Sequence, residues 1–249
     1  MNFLDLKDIS ERYIELVNPS SPEKVMQVGG VLDLSPASRV IDFGCGMGET
    51  LALWGEAFEI SGVGIELRPK SAERAQRKLA ERGLAERIEI VCMSASEYAF
   101  ERHAWDVAVC MGATFIWGGW RPTLQALSQA LRPGGRMVIG EPYWRRPQVP
   151  PAYAQRVMIH TEHDLFHMAW QEGLDVEYLV RSSEEDWDRY EADNWRGFLA
   201  WLRDNPDASE HGEVAAHLRE SQAEYTRYGR EYLGWALYVL APSVSTPAL

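Results

Sequence analysis

The chain has 249 residues, of which 46% are hydrophobic, and its formal net charge is −12 at pH 7. The apolar fraction is sufficient for an extensive core. The acidic excess argues against nucleic acid as a partner, because basic surfaces bind phosphate backbones.

Cysteine usage and the N-terminus indicate the compartment. Cys45, Cys92 and Cys110 form no Cys-x-x-Cys pair, so we expect neither a disulfide framework nor a zinc site. The N-terminal residues are too charged for a signal peptide, and every apolar run is shorter than the ~20 residues of a membrane span. We therefore expect a cytoplasmic protein with no membrane segment.

Helices and strands alternate along the first part of the chain. Apolar residues have helical spacing over 9–17 and 22–34, and Ser21 is placed to cap the second helix before Pro22. The next predicted elements are strands at 39–43, 61–66, 87–92, 106–111 and 136–141, and helices at 49–58, 70–82 and 120–131. Such alternation predicts a parallel sheet covered on both faces, with ligands bound beyond the carboxyl ends of the strands.

The remaining segment contains a long helical insertion. A loop with four prolines spans 142–151, followed by a helix at 162–172 and a strand at 174–180. Helical patterns at 184–204 and 209–228 precede a last strand at 232–240. We expect one domain over 1–249, with a core at 36–181 and 230–241, N-terminal lid helices at 8–34 and a helical cap at 183–228.

Three glycines follow the first strand, at Gly44, Gly46 and Gly48. Glycine permits positive φ and direct approach of a ligand to the backbone. A dinucleotide loop has the spacing Gly-x-Gly-x-x-Gly, which would place its third glycine at Glu49. The carboxylates of Asp42 and Glu49 would repel a pyrophosphate but attract a sulfonium and an ammonium, so the turn favours S-adenosylmethionine (SAM) over NAD.

Several motifs resemble those of class I SAM-dependent methyltransferases. They are residues 40–49, Gly64-Ile65-Glu66-Leu67, and Leu131-Arg132-Pro133-Gly134-Gly135. The likeness covers about residues 36–181, and motifs outside it resemble a bacterial branch of the superfamily. It implies an α/β Rossmann-like fold, with a seven-stranded, mostly parallel sheet and an antiparallel last strand. The resemblance also implies the cofactor-binding residues, which are Asp42, Gly44, Cys45, Gly46, Gly48, Glu66, Leu67, Ser94, Ala95 and Met111.

Individual residues within that set have alternative interpretations. By position, Glu66 binds the ribose, and its two oxygens can accept from both hydroxyls. The alternative is that Glu66 caps the helix beginning near Pro69. Ser94-Ala95 stands where the family usually has aspartate before alanine for the adenine amino group, and serine accepts more weakly. Met111 either lines the methionine side of the cofactor or fills the core.

Methyl transfer from a sulfonium requires alignment of the reactants and exclusion of water. A base is needed only for a hydroxyl or a protonated amine, and the catalytic candidates are Glu141, which we favour, and Tyr143. The alternative for Glu141 is a carboxylate paired with Arg145 or Arg146. Weaker candidates, more typical of surface or core positions, are His160, His163 and His167. We expect no metal site, because no metal-ligand spacing occurs.

Aromatic residues recur at helical spacing in the cap, at Trp187, Tyr190, Trp195, Phe198 and Trp201. They either line an apolar or cationic substrate or form core. A lid would be completed by Tyr13, Asn18 and Trp117.

The leading hypothesis is a SAM-dependent methyltransferase acting on a small-molecule substrate. The alternative is a catalytically silent SAM-binding or effector-binding protein. An NAD-dependent oxidoreductase is disfavoured by the glycine spacing. No sequence feature distinguishes a monomer from a homodimer.

Overall fold

Eight strands form one sheet in the computed structural model, which describes residues 1–157 and 159–244. The strands are β1 (Arg39–Phe43), β2 (Ser61–Glu66), β3 (Ile88–Cys92), β4 (Trp105–Met111), β5 (Leu131–Trp144), β6 (His160–Thr161), β7 (Leu174–Arg181) and β8 (Leu233–Pro242). The helices are α1 (Phe3–Ser10), α2 (Pro22–Val31), α3 (Glu49–Phe58), α4 (Pro69–Glu81), α5 (Trp120–Ser128), α6 (Pro151–Ala154), α7 (Glu162–Gln171), α8 (Glu184–Asp204), α9 (His211–Glu224) and α10 (Arg230–Tyr232).

The strand order is β3-β2-β1-β4-β5-β8-β7, and β6 pairs with β5 outside this series. The first five strands are parallel, whereas β8 is antiparallel to both β5 and β7. The predicted Rossmann-like sheet with an antiparallel last strand is therefore confirmed. The two-residue β6 is additional and too short to give a sequence pattern. The chain order reverses between β1 and β4, and a crevice opens at such a switch point.

Two apolar layers cover the faces of the sheet. One contains Val25 and Trp54 beneath α2 and α3, and the other contains Trp120 and Leu165 beneath α5 and α7. The indole nitrogens are satisfied, because Trp54 donates to the Val25 carbonyl at 2.9 Å and Trp120 to the Leu165 carbonyl at 3.1 Å. Burial on both faces explains the near-continuous apolar runs of the central strands.

The N-terminal helix begins earlier than predicted. Asn2 and Asp5 form a capping box, so α1 begins at Phe3 and ends at Ser10. One 3₁₀ turn (Glu11–Tyr13) follows, and Ile14 is extended. The helix predicted at 9–17 is therefore wrong over its second half. The predicted cap of the second helix is present, with Ser21 accepting from the Lys24 amide.

Several further boundaries differ from prediction: α2 ends at Val31 rather than at residue 34, α5 ends at Ser128 rather than at residue 131, and β5 begins at Leu131 rather than at residue 136. β5 extends to Trp144, so the proline-rich loop begins later than residue 142. Pro142 has no N–H to donate to a neighbouring strand. It is tolerated because β4 ends opposite Gly140, so no strand on the β4 side would accept a hydrogen bond from residue 142. The last helical segment is interrupted, since α9 ends at Glu224 and a π-helical turn (Tyr225–Gly229) follows.

The cap at 183–228 consists mainly of α8 and α9 and packs against α1. Ser183 begins α8 through a capping box with Asp186. Gly197 faces the end of α1, where a Cβ atom would lie 2.2 Å from the Ser10 carbonyl oxygen and 2.6 Å from that of Ile9. A glycine at this position of α8 therefore lets the two helices approach at backbone distance.

Candidate active site

A cleft of about 430 Å³ opens at the carboxyl ends of the parallel strands, beside α1. It lies at the switch point between β1 and β4, where the fold predicts a ligand. Seven of the predicted cofactor-binding residues line it, namely Gly44, Gly46, Glu66, Leu67, Ser94, Ala95 and Met111.

The first two glycines of the turn have left-handed backbones, with φ of +79° at Gly44 and +56° at Gly46. A Cβ atom would lie 2.7 Å from that of Ala113 at Gly44, and 3.1 Å from Val17 at Gly46. The turn therefore presents bare backbone to the cleft.

Gly48 has a different role from the one predicted. Its φ is +69°, and a Cβ atom there would lie 3.0 Å from the Ala75 side chain on α4. Gly48 is the N-cap residue of α3 and is absent from the residues that line the cleft. It allows α3 and α4 to pack closely rather than a ligand to approach.

Glu66 lies at the end of β2 with 6% of its surface exposed. One oxygen accepts from the Gly46 amide at 3.0 Å, and the other accepts from the Arg68 amide at 2.9 Å and from its Nε at 3.2 Å. Arg68 is the N-cap residue of α4, so Glu66 binds the backbone just before this helix but caps none of the amides of its first turn. Because a carboxylate has about four acceptor positions, accepting two ribose hydroxyls requires the Arg68 side chain to release one of them.

Arg68 joins the cofactor side of the cleft to the N-terminal segment. Its guanidinium donates to Glu11 at 2.6 Å, and Glu11 is 2% exposed. Arg74 donates to the carbonyls of Glu11 and Ile14 at 3.2 and 3.1 Å. Residues 11–14 are therefore fastened beside the cleft. This network was not predicted from the sequence, in which the one visible signal is the Asn2-Asp5 capping pair that places α1.

Asp42 is buried beneath the glycine turn, with 3% of its surface exposed. It lines a cavity of about 20 Å³ that shares Gly44, Gly46 and Met111 with the cleft. Burial, and secondarily the charge of Glu66, raises the pKa of Asp42 to about 8. No described side chain pairs with it. A ligand cation at this position would favour its ionised form.

The other carboxylate of the turn is already neutralised. Glu49 accepts from Lys78 at 2.5 Å and from Arg82 at 3.1 Å. Of the two carboxylates predicted to attract a ligand cation, only Asp42 is therefore unpaired among the described residues. Cys45 lines the small cavity but not the cleft, and burial raises the pKa of its thiol. Its sulfur faces Gly64, 2.7 Å from where a Cβ atom would lie.

The structure does not bring the two predicted catalytic residues to the cleft lining. Glu141 accepts from the Thr114 hydroxyl at 2.9 Å, and burial raises its pKa to about 7. The arginine alternative is also wrong for Arg145, which pairs with Glu184 at 3.0 Å.

Tyr143 is 7% exposed and packs in the core. A Cβ atom at Gly234 on β8 would lie 2.3 Å from its ring. The ring fills the space that this glycine leaves, so Tyr143 has no open side toward a substrate.

The aromatic series of the cap divides between two roles. Tyr190 lines the cleft, as the substrate interpretation requires. Phe198 forms a small core with Val214 and Leu218, against which Trp195 and Trp201 pack. Trp187 packs on the main core. Core contacts therefore account for four of the five, although Phe198 also lines a cavity of about 180 Å³ beside α1.

The predicted lid residues are dispersed. Tyr13 and Asn18 line a separate groove of about 420 Å³. Trp117 packs against Phe43 at 5.3 Å between ring centres, whereas its neighbour Phe115, 75% exposed, lies at the cleft. The weaker base candidates are on the exposed surface, at His160, His163 and His167.

Comparison with known proteins identifies the family. A model of the methyltransferase domain matches residues 40–135. A SAM-dependent methyltransferase from Thiobacillus denitrificans, solved with S-adenosyl-L-homocysteine, is 33% identical, with a TM-score of 0.91 over 97% of this chain and 100% of that one. The chain belongs to the class I SAM-dependent methyltransferases.

Two further methyltransferase-fold relatives extend the likeness. A SAM-dependent methyltransferase from Geobacter sulfurreducens, also solved with S-adenosyl-L-homocysteine, is 36% identical, with a TM-score of 0.90 over 96% of this chain and 98% of that one. The uncharacterized protein YjhP of Escherichia coli is 37% identical over 93% of this chain and 96% of its own length. The cofactor of the family is the SAM predicted from the glycine turn.

The described part of this methyltransferase contains no helix that is both long and apolar enough to span a membrane. Within residues 1–157 and 159–244, no group of three or more His, Cys, Asp or Glu side chains converges as a metal site.

Proposed function

We propose that this chain transfers a methyl group from SAM to a small-molecule acceptor. The observation that carries the proposal is that the bare backbone of Gly44 and Gly46 meets the buried carboxylate of Glu66 in one cleft. When bound, SAM supplies an electrophilic methyl group on a sulfonium. The acidic composition argues against nucleic acid as a substrate, and three cysteines without a Cys-x-x-Cys pair support a cytoplasmic enzyme.

The residues present fit this cofactor. The backbone at Gly44 and Gly46 receives the methionine part, and Asp42 attracts its ammonium from the adjoining small cavity. Glu66 accepts from the ribose, with Leu67 and Ala95 at the adenine end. Leu67 supports this placement because it is 55% exposed and lines the cleft, so an adenine ring would cover apolar surface.

Glu141 is better suited to positioning than to proton transfer in this arrangement. Its carboxylate accepts from Thr114, which lies between two residues that line the cleft, Ala113 and Phe115. We propose that Glu141 fixes this segment. Methyl transfer to a carboxylate, a thiolate or a neutral amine requires no base, so alignment and water exclusion remain the main tasks of the protein.

Calorimetry with SAM tests the proposal directly. We expect Glu66→Gln to weaken SAM binding by about 1–3 kcal/mol. The glutamine NH2 group faces N–H and O–H donors that the carboxylate accepts from, and the charge-assisted hydrogen bonds are lost. The matched control is Glu97→Gln, since Glu97 is exposed and absent from the cleft lining. Failure of the wild-type chain to bind SAM at millimolar concentration would reject the proposal.

Product analysis separates the enzyme from its alternative. Incubation with SAM and a panel of amines, thiols, carboxylates and phenols should yield S-adenosyl-L-homocysteine and a product heavier by one methylene. Tight SAM binding with no product across the panel favours a catalytically silent SAM-binding protein. A thermal shift with NAD but not with SAM favours the oxidoreductase.

A further inference from the structure

A second cavity, of about 180 Å³, lies between α1 and the cap. Three of its lining residues, Phe3, Lys7 and Tyr190, also line the cofactor cleft. The two spaces therefore adjoin along one side of α1. A molecule in this second cavity, the cap cavity, would be next to the cofactor without competing for its site.

Several polar groups around the cap cavity are satisfied internally, whereas neither Glu191 nor His217 has a hydrogen bond or ion pair among the described residues. The Asn194 amide donates to the Tyr190 carbonyl at 2.9 Å, and the Ser221 hydroxyl to the Leu218 carbonyl at 2.9 Å. Glu191 lines the cavity and has neither a hydrogen bond nor an ion pair with any residue that the structure describes. Burial raises its pKa to about 7. A carboxyl held in this way without a partner is costly unless a ligand supplies one.

A cation faces the same cavity from α1. The Lys7 ammonium lies 3.6 Å from Glu11, whose carboxylate is also bound by Arg68 at 2.6 Å. The nearby Tyr190 hydroxyl raises the pKa of Lys7, and burial opposes this shift. No ion pair within 4 Å joins Lys7 to Glu191 among the described residues, although the effect of burial on the pKa of Glu191 is opposed by the Lys7 charge, which lowers it. Both groups line one space with the aromatic rings of Phe3 and Phe198.

We propose that the cap cavity binds the methyl acceptor, and that the acceptor is a compact zwitterion. Its ammonium group lies at Glu191, and its anionic oxygen lies at Lys7 and Tyr190, on the boundary with the cofactor cleft. This oxygen would be the nucleophile: its bond to the methyl carbon forms as the S–C bond of SAM breaks, S-adenosyl-L-homocysteine leaves, and no proton is transferred. A zwitterion supplies a cation for Glu191 and an anion for Lys7, whose ion pair with Glu11 is shared with Arg68. The cavity volume corresponds to about six water molecules in the liquid, so an acceptor of a few carbon atoms fits it. This proposal rests on the proposed function.

The test uses the full chain saturated with S-adenosyl-L-homocysteine, whose binding is measured first by calorimetry. The probes are aminocarboxylates, aminosulfonates and aminophosphonates of two to five carbons, with propylamine and propionate as singly charged analogues. We expect at least one zwitterion to bind tenfold or more tightly than both analogues and, with SAM present, to gain one methyl group.

Variants locate the binding. Glu191→Gln should weaken the zwitterion at least tenfold and leave S-adenosyl-L-homocysteine affinity unchanged, and Glu191→Asp should retain part of the affinity. The control Glu185→Gln, at an exposed position of the same helix, should change neither. The proposal is overturned if every zwitterion fails to bind, if Glu191→Gln binds as the wild type does, or if the bound zwitterion is not methylated. Cofactor binding in those cases leaves the methyltransferase proposal standing, whereas its absence removes both.

Discussion

The contact of Gly197 with α1 gives the sharpest prediction. In Gly197→Ala, the new methyl group would lie 2.2 Å from the Ser10 carbonyl oxygen and 2.8 Å from the Ser10 carbonyl carbon. Both atoms belong to the backbone, so no side-chain rotation relieves the overlap. The end of α1 must move away from α8 by about 1 Å to restore ordinary contact.

The expected cost follows from two opposing effects. Overpacking costs about 1–3 kcal/mol, whereas alanine favours a helix over glycine by about 1 kcal/mol. The matched control is Gly30→Ala in α2, where a Cβ atom meets nothing within 4 Å. We therefore expect the two variants to differ in unfolding free energy by about 1–3 kcal/mol, with Gly197→Ala the less stable.

Displacement of α1 also affects the cleft, because Leu4, Lys7 and Glu11 line it. Loosening the hydrogen bond from Arg68 to Glu11 should lower the affinity for SAM about tenfold, which is the contribution of one charge-assisted hydrogen bond. Calorimetry measures the affinity, and amide hydrogen exchange over residues 3–13 reports the detachment. Wild-type affinity and unchanged exchange in Gly197→Ala would refute the role given to this helix contact.

The remaining predictions concern buried carboxyls. The pKa of Asp42 is about 8 in the fold against 3.8 in the unfolded chain, so its neutral form stabilises the fold and this stability is lost as pH rises through that window. Asp42→Asn should therefore melt higher than the wild type at pH 8 but not at pH 4, and SAM binding by the wild type at pH 7 should release protons; a pH-independent difference in melting would contradict this. The pKa of Glu141 is about 7 in the fold against 4.5 in the unfolded chain, so its ionisation also lowers stability as pH rises, over a narrower pH range than for Asp42. Glu141→Gln keeps an acceptor for Thr114, so it should stabilise at pH 8 with turnover little changed, and a large loss of turnover at unchanged SAM affinity would restore Glu141 as a base.

The alternation of elements was predictable because each buried strand and each amphipathic helix has its own periodicity. The bounds of β1, α3 and α8 agree with prediction to the residue. The N-terminal helix was misplaced because apolar spacing continues into residues 14–17, where Ile14 is extended and the following residues form bends. The two-residue β6 depends on pairing with Tyr143 and Trp144, which is a tertiary contact without a local pattern.

The cofactor side of the site was more predictable than the acceptor side. Glycines that follow a strand reveal a backbone approach, and a carboxylate at the next strand end points into the same crevice. The environment of each carboxylate was not visible: Glu49 is neutralised by residues on α4 about thirty positions later. Likewise, Glu141 and Tyr143 are at the expected strand end, but β8 and Thr114 occupy the space around them.

The cap leaves and rejoins the sheet at neighbouring points. Arg181 on β7 pairs with Ala236 on β8, and the Ser182 amide donates to the Trp235 carbonyl at 2.9 Å. The ends of the insertion are thus held together by the sheet itself, and the entropy of closing such a loop grows only slowly with its length. Evolution can lengthen, shorten or exchange this segment while the donor half of the enzyme stays intact, so relatives that share one methyl source are free to diverge in what they modify.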